Sequence, residues 1–167
     1  MNRNEITQLC ERDVINTAAR LFGISKSALG KFDDYEGCAN LVYQYEHDGE
    51  QRILRISFRS DRTLELIQAE LHFINYLAEN GVRVSHSIPS RNGNLIETIQ
   101  VEGVTFHAVS FVRGRGMRVS DNGYRYREGI SINEYFQNWG QVLGQMHRLA
   151  KTYKPLSESI RRPEWHT

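Results

Sequence analysis

The chain has 167 residues, with 21 Lys+Arg against 20 Asp+Glu, a formal charge of +1 and 40% apolar residues, which suits one domain, or one and a piece of another, able to bury a core without disulfides or metal. The balanced charge argues against a dedicated nucleic-acid or acidic-substrate binder, and no run approaches the ~20 apolar residues of a membrane span. The polar start Met1–Asp13 lacks the apolar segment of a secretory signal, and Cys10 and Cys38 form neither a metal spacing nor a disulfide framework, so a reduced, cytoplasmic location is expected.

Residues 5–22 predict a helix, with Ile6, Leu9, Cys10, Val14, Ala18, Leu21 and Phe22 recurring near helical spacing and Gly23 as the stop. The period then changes. Lys31–Tyr35 is a strand candidate, followed by a turn through Gly37 and by strands Leu41–Glu46 and Arg52–Phe58 joined at Asp48-Gly49. Thr63–Asn80 returns to helical period through Leu64, Ile67, Leu71, Ile74, Tyr76 and Leu77. Ile88-Pro89 reads as loop, and Asn94–Gln100 and Thr105–Val112 read as two strands around Glu102-Gly103. Arg113–Gly129 carries four glycines and five arginines and reads as a linker. A last helix spans Ser131–Lys151, with Ile132, Tyr135, Phe136, Trp139, Val142, Leu143, Met146 and Ala150 on one stripe and Ser131 with Glu134 as a capping box. The expected fold is α+β: a five-stranded antiparallel sheet with a packed helix, a linker and a long helix.

A nucleoside triphosphate needs backbone that can approach phosphates, a cation on them, and a group that holds that cation in place. The chain contains no GxGxxG and no GxxxxGK[ST], so no dinucleotide or P-loop motif is present. The small residues Gly37 and Ala39 would permit close approach at a hairpin turn, although by themselves they describe any hairpin turn. Arg55 is unexpected within Ile53-Leu54-Arg55-Ile56. Either it faces solvent from a half-exposed strand, or it has a partner or ligand, because an unpaired buried charge costs several kcal/mol. Glu70, on the next helix, is its nearest candidate partner in chain order. Val109-Ser110-Phe111-Val112 runs straight into the linker, a natural edge for a cleft.

These segments together resemble the N-terminal lobe of the aminoglycoside phosphotransferase and choline kinase-like family, which shares the protein-kinase-like fold. The resemblance rests on Gly37-Cys38-Ala39-Asn40-Leu41-Val42-Tyr43, on Ile53-Leu54-Arg55-Ile56, on Glu70 in a helix and on the strand into Ser110-Phe111-Val112. The helix Trp139–Leu149, ending Met-His-Arg-Leu, is similar to the first long helix of that family's C-terminal lobe. The match runs from about residue 30 to 153 and rests on motif order rather than on any single motif.

The resemblance implies roles. Gly37, Cys38, Ala39 and Asn40 would form the loop over the phosphates. Arg55 would contact the α- and β-phosphates, with Glu70 as its ion-pair partner. Val42 and Ile53 would sandwich the adenine, and Ser110 and Val112 would offer backbone groups to its edge. It implies residues 1–112 as nucleotide-binding lobe, 113–130 as Arg/Gly-rich linker and 131–167 as the beginning of a helical C-terminal lobe.

One departure stands out. The family's His-Gly-Asp catalytic loop and the later metal-binding Asp are absent, and no His-x-Asp occurs in the chain. His147 sits where the family has a structural Leu-His and is expected to pack or cap. No catalytic residue and no metal ligand is therefore expected within these residues. Mg would be held by residues outside the chain.

The expected function is the ATP-binding portion of a small-molecule kinase transferring the γ-phosphoryl of ATP to a hydroxyl, truncated before its catalytic loop and inactive alone. The alternative is a naturally short, non-catalytic nucleotide-binding or interaction module that self-associates through the 131–151 helix. An RNA contact through the Arg-rich linker is the weakest reading, since one Arg-Gly-Arg-Gly run in a neutral domain describes a solvated linker equally well. The acceptor class is open among aminoglycosides, choline-like amino alcohols, homoserine-like amino acids, sugars and protein hydroxyls. Asp33, Asp34 and Glu36 read as a solvated turn, and His72 and His107 as surface or strand residues.

Overall fold

A computed structural model describes residues 2–31, 40–58, 60–116 and 119–161. Asn2 caps the first helix, α1 (Arg3–Leu9), by a reciprocal box: its Oδ1 accepts from the Glu5 N–H at 3.0 Å, and Glu5 Oε2 accepts from the Asn2 N–H at 2.8 Å. The predicted helix 5–22 is one helical run interrupted by a π-helical turn, Cys10–Val14, before α2 (Ile15–Leu21). The wide turn shifts the helical phase. As a result Leu9 and Cys10, then Val14 and Ile15, then Ala18 and Ala19 all bury against the sheet.

The sheet has six strands rather than the expected five, all pairs antiparallel: β1 (Gly30–Lys31), β2 (Asn40–His47), β3 (Glu50–Ser57), β4 (Ser87–Ile88), β5 (Glu97–Val101) and β6 (Val104–Val112). The spatial order is β1-β2-β3-β6-β4, with β5 also on β6. The added strand, β4, is the segment read as loop. It is two residues long and ends before Pro89, which cannot donate to a ladder. Of the predicted Lys31–Tyr35 strand, the described part is Gly30–Lys31. The predicted Asn94–Gln100 strand starts at Glu97, because the residues before it fold back: one Glu97 carboxylate oxygen accepts from Ser90 Oγ, Asn92 Nδ2 and Asn94 Nδ2 at 2.5, 3.1 and 3.3 Å.

Two hairpins turn on paired left-handed residues, Asp48-Gly49 (φ 53° and 75°) and Glu102-Gly103 (φ 49° and 78°). A two-residue turn of this hand matches the strand twist, and glycine takes the second position without a side-chain clash.

Side-chain alternation divides the sheet into two faces. Leu41, Tyr43, Tyr45, Leu54, Ile56, Phe106 and Ala108 meet the N-terminal helices. The opposite face carries Val109, Phe111 and Ile53, which pack on Ile67 and Leu71 of α3 (Leu64–Glu79). Strand β6 is buried on both faces from Phe106 to Phe111, which makes it the central strand. Beyond it, α4 (Ile132–Ala150) fits the predicted helix, with one correction to its start. Ser131 Oγ accepts from the Asn133 N–H at 3.2 Å, one residue short of the capping box expected with Glu134. Phe136 and Trp139 of α4 are both 54% exposed. Among the described residues, no helix is long and apolar enough to cross a membrane.

Candidate functional site: the Arg55–Glu70 face

Arg55 lies in the middle of β3, with Val42 opposite it on β2 and Val109 opposite it on β6. It is flanked on the same face by Ile53, because alternate strand residues share a side. Of the two readings open for Arg55, the structure selects the paired one. Its Nη1 and Nη2 donate to Glu70 Oε1 and Oε2 at 2.8 and 3.0 Å, a two-pronged ion pair from β3 to α3. The side chains are 17% and 19% exposed. A fork of this kind fixes direction as well as distance.

Two further features were not visible in the sequence. The guanidinium lies over the Phe111 ring, 4.9 Å from its centroid. Arg55 Nε is buried with no hydrogen-bond partner among the described residues. A buried N–H without an acceptor costs about 1–3 kcal/mol, and such orphans in folded proteins call for an explanation. An anionic oxygen arriving on this face would supply one.

The remaining predicted positions divide. Val42 and Ile53 are half-buried on the Arg55 face. Asn40, at the start of β2, accepts a hydrogen bond from Ser57 Oγ at 2.6 Å. Ser110 points the other way: its side chain is fully buried and lies 2.6 Å from Tyr45 Oη in the core beneath the N-terminal helices. Its backbone sits between β3 and β4, paired with Leu54 and Ile88. The Val112 N–H donates to the His86 carbonyl and the Arg113 N–H to the Gln51 carbonyl, each at 3.0 Å. The backbone donors at 112 and 113 are therefore committed to neighbouring strands. Gly37, Cys38 and Ala39 lie outside the described residues.

Two concavities lie elsewhere. One of about 960 Å³ is lined by Arg83, His86, Val112 and Arg113, and one of about 910 Å³ by His72, Tyr76, Leu95 and Ile96. Neither is lined by Val42, Ile53 or Arg55.

Two titratable groups are set by burial. Desolvation pushes the Cys10 thiol up to about 12, which keeps it protonated and unreactive. Desolvation also holds the His107 imidazole below its ordinary value, with the Glu65 charge acting weakly in the opposite direction. His107 Nδ1 lies 3.1 Å from Thr98 Oγ1. A histidine with a lowered folded pKa is protonated more readily in the unfolded chain. Stability is therefore full above the unfolded value of ~6.5 and falls as pH drops through it, levelling below the folded value. Unfolding free energies at pH 7.5 and pH 5 are expected to differ less in His107→Gln than in the parent; equal differences would remove His107 from this role.

No group of three or more His, Cys, Asp or Glu side chains that could hold a metal ion occurs among the described residues. Glu70, the acid nearest Arg55, is already bound to it.

The sequence profile of the phosphotransferase enzyme family matches residues 35–166. The chain belongs to this family. A family member, amicoumacin kinase of Bacillus subtilis (strain 168), is 28% identical over 156 residues, covering 93% of this chain and 44% of the relative. Among solved structures, an amicoumacin kinase in complex with AMP-PNP, Ca2+ and Ami superposes with a TM-score of 0.84 at 25% identity, over 99% of this chain and 47% of that one. A microcompartment-associated aminopropanol kinase shares the fold at a TM-score of 0.69 and 22% identity, over 91% of this chain and 44% of its own. The chain thus spans less than half the length of these relatives. The antiparallel sheet and helices described above are the part of the fold that the chain shares with these kinases.

Proposed function

We propose that these residues form the nucleotide-binding lobe of a small-molecule kinase that transfers the γ-phosphoryl of ATP to a hydroxyl acceptor. The observation that carries the reading is the Arg55 guanidinium, braced by Glu70 and Phe111, with its Nε–H buried and without an acceptor among the described residues. Phosphoryl transfer asks the protein mainly for position and charge, since the transition state is loose and spreads charge over the phosphoryl oxygens. Arg55 answers the charge, and Glu70 holds it in place. Val42 and Ile53 offer the apolar surface for a base. The loop through Gly37, Cys38, Ala39 and Asn40 lies over the phosphates in this reading. Ser110 and Val112 serve through their strand, and a backbone N–H for the base edge comes from Gly114 onward.

In the reaction, the bond from the γ-phosphorus to its bridging oxygen breaks and a bond to the acceptor oxygen forms, with the acceptor proton leaving to a base. In this reading the base and the metal ligands are supplied by residues outside this chain, because its sequence carries no His-x-Asp. Residues 1–112 act as the lobe, 113–130 as the linker and 131–167 as the start of the second lobe. The relatives' names, two kinases that act on small molecules and one seen with AMP-PNP, favour a small polar acceptor.

The 167-residue chain is expected to bind AMP-PNP and to move no radiolabelled γ-phosphoryl from ATP to a panel of amino alcohols, aminoglycosides and homoserine. Steady transfer by this chain alone would overturn the division of labour. Exposed Phe136 and Trp139 favour a second reading, a non-catalytic module that pairs with another copy through α4. That reading requires the protein carrying this sequence to sediment as a dimer and to transfer no phosphoryl under any condition.

A further inference from the structure

Helix α3 has two working faces. Its inner face places Ile67 and Leu71 against the sheet and Glu70 on Arg55. Its outer face carries His72, Phe73 and Tyr76, and all three meet one residue from the far end of the chain, Tyr153. The Tyr153 ring lies 5.4 Å from His72, 4.9 Å edge-on to Phe73 and 5.2 Å from Tyr76, centroid to centroid. Its hydroxyl is 2.7 Å from His72 Nδ1.

The surrounding bonds fasten the same junction. Tyr76 Oη donates to the Leu149 carbonyl at 3.3 Å and lies 3.0 Å from Thr152 Oγ1. The Tyr153 N–H donates to that same carbonyl at 3.1 Å, closing the last turn after α4. No residue of α4 itself is buried. The end of α4 is thus tied to the middle of α3 at an aromatic cluster, and α3 is held between that cluster and the sheet.

This arrangement has a consequence for the ion pair. A binding constellation has to be held within about 0.5 Å and 10–20° of its working geometry, and the two-pronged carboxylate–guanidinium contact is what fixes Arg55 here. Glu70 rides on α3, two residues from His72 and on the opposite side of the helix. A small shift of α3 off the cluster therefore reaches Glu70 directly, and through it the aim of the Arg55 Nε–H.

We propose that Tyr153 is a positioning residue: it seats α3 so that Glu70 holds Arg55 in the phosphate-binding orientation, and it thereby sets nucleotide affinity. This rests on the nucleotide-binding reading above. It assigns nucleotide affinity partly to a residue that lies beyond α4 and on the far side of α3 from the ion pair.

The test uses the protein carrying this sequence, with AMP-PNP as probe. Three quantities are read in the parent, Tyr153→Leu, Tyr153→Phe and His72→Ala: the AMP-PNP dissociation constant, the Nε–1H resonance of Arg55 without nucleotide, and the unfolding midpoint. Tyr153→Leu is expected to weaken AMP-PNP roughly 5–20-fold, within the range seen for coupling between sites, and to shift the Arg55 resonance. Tyr153→Phe, which keeps the ring contacts, is expected to recover most of both. His72→Ala, at a half-buried position, is expected to show both effects at reduced size and stands in if Tyr153→Leu does not fold. A lowered midpoint with unchanged affinity would overturn the proposal and leave Tyr153 a structural residue. Changed affinity with an unmoved Arg55 resonance would overturn the route through Glu70. Failure of the parent to bind AMP-PNP would overturn the nucleotide reading itself, and this inference with it.

Discussion

Replacing Arg55 by Met and Glu70 by Leu together is expected to weaken AMP-PNP binding sharply while leaving the fold at least as stable as the parent. Each single replacement is expected to destabilise it. The reasoning is a matter of which charge is left behind. Breaking a buried ion pair strands its partner at a cost of about 3–5 kcal/mol. The side chains here keep 17% and 19% of their exposure, so the lower end of that range applies. Removing both charges with apolar residues of similar volume eliminates the desolvation cost altogether and is often neutral or stabilising.

Binding behaves differently, because the double variant has nothing to offer a phosphate. A hydrogen bond to a charged group is worth about 1.5–3 kcal/mol, or roughly 10- to 150-fold in affinity. Urea unfolding and AMP-PNP titration on the four proteins of the cycle separate the two effects. Parent-like AMP-PNP affinity in the double variant would remove Arg55 from the site.

Phe106→Ala is expected to cost about 3–5 kcal/mol, the value for deleting a large buried aromatic. Phe106 is fully buried in the cluster between the N-terminal helices and the sheet, its ring 6.3 Å from that of Phe58. It sits in β6, which pairs with β3, β4 and β5. A cavity there loosens the central strand, which also carries Val109 and Phe111 to the other face. A typical domain has only about 5–15 kcal/mol to lose. The denaturation midpoint is therefore expected to fall steeply at an unchanged slope, and a midpoint within experimental error of the parent would show that the core lies elsewhere.

The sequence exposed Arg55 because a charge within Ile-Leu-Arg-Ile breaks an apolar strand, and it exposed Glu70 because α3 follows β3 directly and brings the two together. The Phe111 ring beneath the guanidinium and the Tyr153 cluster behind α3 had no comparable signal. They join residues 56 positions apart (55 to 111) and 77 to 81 positions apart (76, 73 and 72 to 153), and only the register of β3 on β6 and the course of α4 create those contacts. The π turn at Cys10–Val14 was hidden for another reason. Averaged over 18 residues, helical periodicity absorbs a one-residue change of phase. Strand β4 was too short to show alternation and was read as the loop around its proline. Ser110 shows the limit of naming a site by strand: its side chain faces the core beneath the N-terminal helices, on the side opposite Arg55.

The most direct test of the proposed nucleotide-binding face follows from that division of the sheet. With methyl groups carbon-13 labelled, AMP-PNP is titrated into the protein carrying this sequence. Shifts are predicted for the methyls of Val42, Ile53 and Val109, with those of Leu54, Ile56 and Ala108 on the opposite face unmoved, and the shifts should disappear in Arg55→Ala. Shifts confined to Leu54, Ile56 and Ala108, or none at saturating nucleotide, would contradict the account.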